Sequence, residues 1–294
     1  MRPEQIGSRV GRARRSVSII QFAMPDIQTY TRACAAKVND MKHSILTIKW
    51  GTEFSSEHVN ILFRAARDMS ALDFQFICMT DDPKGLDESI ISLPIPMSGL
   101  QAFPKSQGAW PKLCLFHPEI ADTLEIVLFL DIDTVLTGNI DPFFEDPGDR
   151  LRMLSCGPRW RQFDPSFEPM GATGVFTYRP SFHTNIFDAF RKDPELAYNN
   201  FVVEQDFVAA QALKKDYYPL EWIQSFKYHL RRQYLMDIFV PPLQPAPETL
   251  MVAFHGFPRP NFIADKTSRW AKFPRCGIHR PKWLIDYWDK YKDA

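Results

Sequence analysis

The chain has 294 residues, 45% of them hydrophobic and 14% aromatic, with 35 basic side chains against 35 acidic ones. That composition excludes a disordered chain and supports one large domain or two small ones. The charge balance lacks the basic footprint of a nucleic-acid binder, so no nucleic-acid partner is expected, and no apolar run reaches the length of a membrane span.

Residues 1–43 read as a basic lead-in, partly helical or mobile, with a helix expected near Gln28–Lys42. Arg2, Arg9, Arg12, Arg14 and Arg15 stand near its start, with Glu4 as the acid among them. No apolar h-region follows, which argues against a secretory signal. A solvated arm, or a start codon placed too far upstream, accounts for the run. The alternative is weak attraction to anionic lipid, which would make the protein peripheral to the inner face of a membrane. Cys34, Cys78, Cys114, Cys156 and Cys276 lie far apart, without C-x-x-C or zinc spacing. Their scatter predicts reduced thiols in a cytoplasmic setting.

Ser44–Lys49 reads as the first strand, ending at Trp50-Gly51-Thr52. Ser55 or Ser56 can cap a helix that carries Val59, Leu62, Phe63 and Ala66 at helical spacing. Phe74–Met79 is the next strand and runs into Thr80-Asp81-Asp82-Pro83. Strand–helix–strand order predicts a parallel pair with a right-handed crossover. Ile90–Pro94 is a shorter strand, and Trp110-Pro111-Lys112-Leu113 opens a helix with Pro111 in its first turn. Further on, Leu151–Cys156 and Val175–Tyr178 read as strands and Glu204–Lys214 as a helix. Pro241, Pro242, Pro245 and Pro247 mark a loop before a last strand, Leu250–Phe254, and residues 283–294 form an amphipathic terminal helix. The expected fold is a single large α/β domain over residues 44–282, a Rossmann-like mixed sheet with helices on both faces. The strands starting at Ser44, Phe74 and Ile126 are expected as parallel neighbours.

The most telling stretch runs from Ile126 to Gly138. Ile126–Leu130 has the length and apolar continuity of a strand buried on both faces. It ends in Asp131 and Asp133, whose side chains point to the same side of an extended chain. Ligands of open α/β sheets bind at that carboxyl edge. Two hard carboxylates there suit Mg²⁺ or Mn²⁺, with phosphate oxygens completing the shell. Two other readings stay open: a turn whose aspartates only cap and solubilise it, and a haloacid-dehalogenase-like phosphohydrolase using Asp131 as nucleophile. The second needs a downstream acid pair for its metal, and Gly148-Asp149 is followed by Arg150–Leu154, which supplies none.

Taken in order, these pieces resemble bacterial GT-A-fold glycosyltransferases, and most of all the retaining group that includes glycogenin and the lipooligosaccharide galactosyltransferases. The resemblance is carried by Lys49-Trp50-Gly51-Thr52, Thr80-Asp81-Asp82, Trp110-Pro111-Lys112-Leu113 and Phe129-Leu130-Asp131-Ile132-Asp133. Gly138–Pro142, Gly171–Phe176, Glu204-Gln205-Asp206 and Phe254-His255-Gly256 complete it. It implies sugar transfer from a nucleotide-diphosphate sugar, most naturally a UDP-sugar, to a glycan, lipid-linked or protein acceptor. It implies Asp131, Asp133 and His255 as ligands of Mn²⁺ or Mg²⁺, and Lys112, Gln205 and Asp206 as catalytic groups. Donor contacts are expected from Thr47, Lys49, Trp50, Asp81, Asp131, Ile132, Gly256 and Arg259. Arg259 stands about where the family carries Lys, and Ala172-Thr173-Gly174 replaces its Asn-Ser-Gly turn. On this reading residues 44–150 form the donor half and 151–282 the acceptor half. Aromatic and polar residues mix around Phe163–Met170 and Trp222–Arg232, which suits sugar faces and hydroxyls. Asp164, Trp222 and Lys227 are therefore the expected acceptor contacts. A non-catalytic nucleotide-sugar-binding protein on the same fold is the remaining alternative.

Overall fold

Strands form where β-branched and aromatic residues run without polar interruption, and this chain has such runs at regular spacing. The computed structural model describes residues 41–96, 109–156, 169–232, 236–275 and 280–292, with Val38 and the backbone of two short strands. The strands are β1 (Ile19–Ile20), β2 (His43–Lys49), β3 (Gln75–Thr80), β4 (Ile91–Leu93), β5 (Phe103–Pro104) and β6 (Ile126–Leu130). They continue as β7 (Thr134–Leu136), β8 (Leu151–Ser155), β9 (Gly171–Tyr178), β10 (Lys215–Tyr217), β11 (Ile223–Ser225) and β12 (Met251–Ala253). Among the described residues the main sheet has seven strands in the order β10-β8-β9-β6-β2-β3-β4. The strands β6, β2, β3 and β4 run parallel, as the expected neighbours should, and β9 is antiparallel to both β6 and β8. A second sheet has the order β11-β12-β7, and β1 pairs with β5. The expected α/β mixed sheet with helices on both faces is what the chain adopts.

The central strands feed two cores by simple alternation. Ile45, Phe76, Cys78, Leu128 and Leu130 pack on one face. Leu46, Ile77, Met79, Val127 and Phe129 pack on the other. The first face is covered by the Ser56–Asp68 helix, the small sheet and the Lys282–Lys292 helix, through residues such as Val59, Leu62, Val252, Leu284 and Tyr287. The second is covered by the 3₁₀ segment Trp110–Phe116 and the helices Thr184–Lys192 and Glu204–Gln211. Fully buried Phe129 and Phe176 each contribute roughly 1.5–3 kcal/mol of apolar transfer. Cys78 and Cys114 behave as small core hydrophobes, and burial pushes the Cys78 thiol up to about 12.

Several expectations shift. The helix expected over Glu204–Lys214 stops at Gln211, because the chain turns at Ala212 to enter β10, whose Lys215 pairs with Leu151. Thr184–Lys192 and Pro194–Asn200 are helices that the sequence reading left unassigned. The Gln28–Lys42 helix lies almost wholly outside the described residues. No helix among the described residues is long and apolar enough to cross a membrane.

The terminal helix is pinned to the Ser56–Asp68 helix. Arg64 donates to the carbonyls of Tyr291 and Lys292, both at 2.9 Å, and Lys290 donates to Asp68 at 2.6 Å. These carbonyls belong to a last turn that has no partners of its own. Arg64→Ala should therefore cost about 1 kcal/mol and raise amide exchange over the last turn of the helix. Hydrogen-exchange mass spectrometry that finds unchanged protection there would show that the contact does not hold the helix.

Candidate active site

The site grows from the end of β6. Leu130 is the last strand residue, and its carbonyl accepts from the buried Thr47 hydroxyl at 2.8 Å. Asp131 N donates to Gly174 O of β9 at 2.9 Å, and Thr134 N donates back to Asp131 O at 3.0 Å. The two aspartates thus sit on a hydrogen-bonded turn between β6 and β7. β12 then runs antiparallel to β7, with Ala253 level with Thr134. Extending that register brings Asp133 level with Phe254 and Ile132 level with His255. Sheet pairing alone therefore carries His255 back to the turn across more than a hundred intervening residues.

These elements enclose a cleft of about 600 Å³, within the range of small-molecule sites. Trp50, Lys112, Asp131, Ile132, Asp133, Glu204, Gln205, His255, Gly256 and Arg259 line it. Gly256 has φ +75° and a Cβ there would meet nothing within 4 Å, so the backbone is open to a ligand. Gly174 forms part of the floor, where a Cβ would lie 3.5 Å from Asp131 Oδ2.

Charge is concentrated here. Lys112 Nζ sits 2.7 Å from both carboxylate oxygens of Asp131 and 3.9 Å from Glu204 Oε1. Burial works against the Lys112 charge, but Asp131 and Glu204 outweigh it, and the net shift holds the ammonium protonated. Burial, and then the neighbouring Asp131 charge, push Asp133 up to about 7. Asp131 is raised as well, by burial, with Lys112 pulling the other way. His255 is pushed down to about 4 by burial and by the Lys227 and His229 charges, so its imidazole is neutral. Its Nε2 lies 2.6 Å from Ser225 Oγ, and Tyr228 stacks on the ring at 5.3 Å. Arg259 lies over the Phe54 ring at 4.1 Å, and one nitrogen pairs with Glu53 at 2.5 Å. Its Nε and Nη1 are buried without a hydrogen-bond partner.

The fold has known counterparts. The galactosyltransferase LgtC, solved in complex with donor and acceptor sugar analogues, superposes with a TM-score of 0.57 over 85% of this chain and 95% of its own, at 11% identity. The glycosyltransferase GlyE of Streptococcus pneumoniae TIGR4 gives 0.53 over 86% of this chain and 63% of its own, at 15% identity. The bifunctional glycosyltransferase WbbM gives 0.51 over 86% and 52%, at 10% identity. The chain has a glycosyltransferase fold. No protein-family model and no curated protein matches the sequence.

On this glycosyltransferase fold the expected site residues divide. Asp131, Asp133 and His255 line one cleft, but they do not close into a coordination shell. Among the described residues no three His, Cys, Asp or Glu side chains are grouped to hold a metal. Lys112 pairs with Asp131, and Ser225 engages His255. Lys112, Gln205, Trp50, Ile132, Gly256 and Arg259 also line the cleft. Thr47 does not; it is fully buried and braces β6. Lys49 is buried outside the lining, and exposed Asp81 accepts from Gly51 N at 2.9 Å, which shapes the turn after β2. Asp206 points to solvent, one position beyond Gln205. Trp222 is away from the cleft, packed against Phe143 at 5.3 Å and Tyr218 at 6.3 Å. Lys227 is exposed beside the cleft wall, near enough for its charge to act on His255. Asp164 lies outside the described residues. Glu204 is the site residue that the reading passed over in favour of its two neighbours; as the buried acid opening the Glu204–Gln211 helix, it carried a signal in its apolar flanks Val203 and Phe207.

Two outcomes follow from this geometry. The Asp133 carboxyl binds its proton more tightly folded than unfolded, so between about pH 4 and 7 the native state holds the extra proton and stability falls as pH rises. Asp133→Asn should stabilise the fold at pH 8 by an amount on the order of 1 kcal/mol or more, seen as a higher melting temperature, and should change the melting temperature little near pH 4. Thermal melts that show the same effect at both pH values would remove the electrostatic explanation. Trp222→Ala should cost about 3 kcal/mol of stability, seen in urea unfolding, because it empties a packed aromatic cluster. A variant as stable as wild type would return Trp222 to the list of ligand contacts.

Proposed function

We propose that this protein is a metal-dependent glycosyltransferase that moves a sugar from a nucleotide-diphosphate sugar, a UDP-sugar in the first instance, to a glycan, lipid-linked or protein acceptor with retention at the anomeric carbon. The observation that carries this reading is a pairing of opposites in one cleft. Asp131 is paired with Lys112, but the recessed Asp133, pushed up to about 7 by burial and the Asp131 charge, has no salt-bridge partner among the described residues. Arg259 keeps two buried N–H groups that lack an acceptor. A divalent cation answers the first and a diphosphate answers the second.

The donor set fits such a cation. Carboxylates are hard ligands, and an imidazole held neutral is ready to coordinate. Asp131, Asp133 and His255 would hold Mn²⁺ or Mg²⁺, whose charge would offset the negative charge that develops on the departing diphosphate. Arg259 supports the same oxygens with the planar fork suited to phosphate. Gly256 lets the diphosphate approach the backbone. Trp50 offers a face for the base. Lys112 and Gln205 flank the place left for the sugar, Lys112 to donate to its hydroxyls or the phosphate and Gln205 to stabilise positive charge on the ring. Lys227 stands ready on the acceptor side. Residues 44–150 serve the donor in this reading and 151–282 mainly the acceptor.

Asp133→Asn should keep the fold and remove metal-dependent donor binding, with a loss of at least about 3 kcal/mol in transition-state stabilisation. The measurement is sugar transfer from a panel of nucleotide sugars with Mn²⁺, alongside thermal shift with and without the metal. Transfer at near wild-type rate by the variant would exclude the metal role. Phosphate release from monoesters that Asp131→Asn abolishes would point to the phosphohydrolase. Donor-induced stabilisation with no transfer to any acceptor would leave a binding protein.

A further inference from the structure

Glu204 belongs to the cleft, yet the reading above gives it no task. It is 5% exposed. Its Oε2 accepts from Ala109 N at 2.6 Å, immediately before the segment that carries Lys112, and its Oε1 accepts from Thr173 Oγ1 at 3.2 Å. Both oxygens are thereby fixed in place by groups from two other elements. A carboxylate buried this deeply needs a compensating charge, and among the described residues Lys112 is the cation within ion-pair range of it.

Lys112 stands between two acids but leans on one. Its Nζ is at hydrogen-bond distance from Asp131 and 3.9 Å from Glu204, and it also donates to Thr173 O at 3.4 Å. Side-chain torsions alone can close the gap to Glu204, since the ammonium is a point charge on a flexible four-carbon stem. Asp131 is also one of the proposed metal ligands. Nζ contacts both oxygens of Asp131, so a divalent cation that takes either oxygen displaces the ammonium from it, and repulsion between like charges in a recessed, weakly screened site favours moving the ammonium further off.

We propose that Glu204 is a second seat for the Lys112 ammonium, and that Lys112 exchanges from Asp131 to Glu204 when a divalent cation is bound. This rests on the metal-dependent reading above. Glu204 is then a positioning residue: it acts on metal binding through Lys112. With Lys112 on Asp131, the cleft without its ligands carries an internal countercharge at the turn. With Lys112 on Glu204, Asp131 is free to coordinate and Glu204 keeps its compensation.

The test reads metal binding directly, with no sugar transfer involved. The full chain is titrated with MnCl₂ in the absence of any nucleotide, and free Mn²⁺ is followed by electron paramagnetic resonance. The proteins are wild type, Lys112→Met, Lys112→Arg, Glu204→Gln and the Lys112→Met/Glu204→Gln double variant, with Lys112→Gln in reserve should the methionine variant fail to fold. If Lys112 covers Asp131 in about nine-tenths of molecules, removing it should tighten the dissociation constant about tenfold. Lys112→Arg keeps a cation and should stay near wild type. Glu204→Gln should weaken binding when Lys112 is present, and that weakening should vanish in the Lys112→Met background, as a coupled pair requires. Equal or weaker binding by Lys112→Met overturns the exchange while leaving the metal reading intact. A Glu204→Gln effect of the same size in both backgrounds overturns the second seat, because Glu204 then acts as a remote charge. No Mn²⁺ binding by wild type or Lys112→Met, in this titration or in its repeat with UDP added, removes the metal reading and the exchange with it.

Discussion

The structure depends on where β6 is allowed to stop. Five residues without a polar side chain run through the middle of a seven-stranded sheet and are fully buried. The next three residues must then satisfy backbone groups and place two charges at once. They do so because neighbours on both sides supply partners: Thr47 from β2 for the Leu130 carbonyl, and Gly174 from β9 for the Asp131 amide. Were Thr47 apolar, the Leu130 carbonyl would lose that partner, at a cost of about 1–3 kcal/mol; the Gly174 acceptor is backbone and is set by the path of β9. The position of every other group in the cleft is measured from this turn. Lys112 reaches it from a short 3₁₀ segment, Glu204 from a helix N-terminus, and His255 through the register of the small sheet.

The placement of His255 shows how a local pattern becomes a long-range contact. β7 is short and fully buried, and it pairs with β12 while β12 also pairs with β11. A slip of one residue would turn the side chains of β12 to the opposite face. Register is set here by burial, since Met251 and Val252 are both inaccessible. The same sheet brings Ser225, at the end of β11, to 2.6 Å from the imidazole of His255. A hydroxyl in that position orients the ring, much as partners beyond the ligands do in metal sites.

Much of this was legible in the sequence because it depends on periodicity and on strand ends. The strands from Ser44, Phe74 and Ile126 announce themselves as apolar runs bounded by turn residues, and their parallel pairing follows from the helix between the first two. The acid pair and the late histidine could be named because chemistry concentrates where such strands terminate. What stayed hidden needed the third dimension. Thr47 and Trp222 carry the right chemistry for ligand contacts, but alternation and packing turn both away from the cleft. The helices over Thr184–Lys192 and Pro194–Asn200 were readable in principle, from Ile186, Phe187 and Phe190 at helical spacing and from Asp193-Pro194 as a capped start. Glu204 was passed over because a buried acid and an exposed acid look alike in one dimension, and Asp206 two positions on is the exposed one.

The cleft also bears on whether the fold is retained with its function or only as a scaffold. Identity of 10–15% to proteins of this architecture leaves the fold informative and the function open. A cleft without ligands would drift toward features that stabilise the empty protein. This one holds the reverse: a carboxyl at Asp133 whose charge is opposed by burial, and a guanidinium at Arg259 with two buried donors unmet. Each feature costs stability on its own, by about 1–3 kcal/mol for an unsatisfied buried group. Replacing Asp133 with Asn or Arg259 with an apolar residue would remove the cost without disturbing either core. A single ligand that joins a cation to a doubly charged phosphate group satisfies both at once. The two unfavourable features have opposite signs and share one cavity, and the cation-bound nucleotide diphosphate proposed above would meet both.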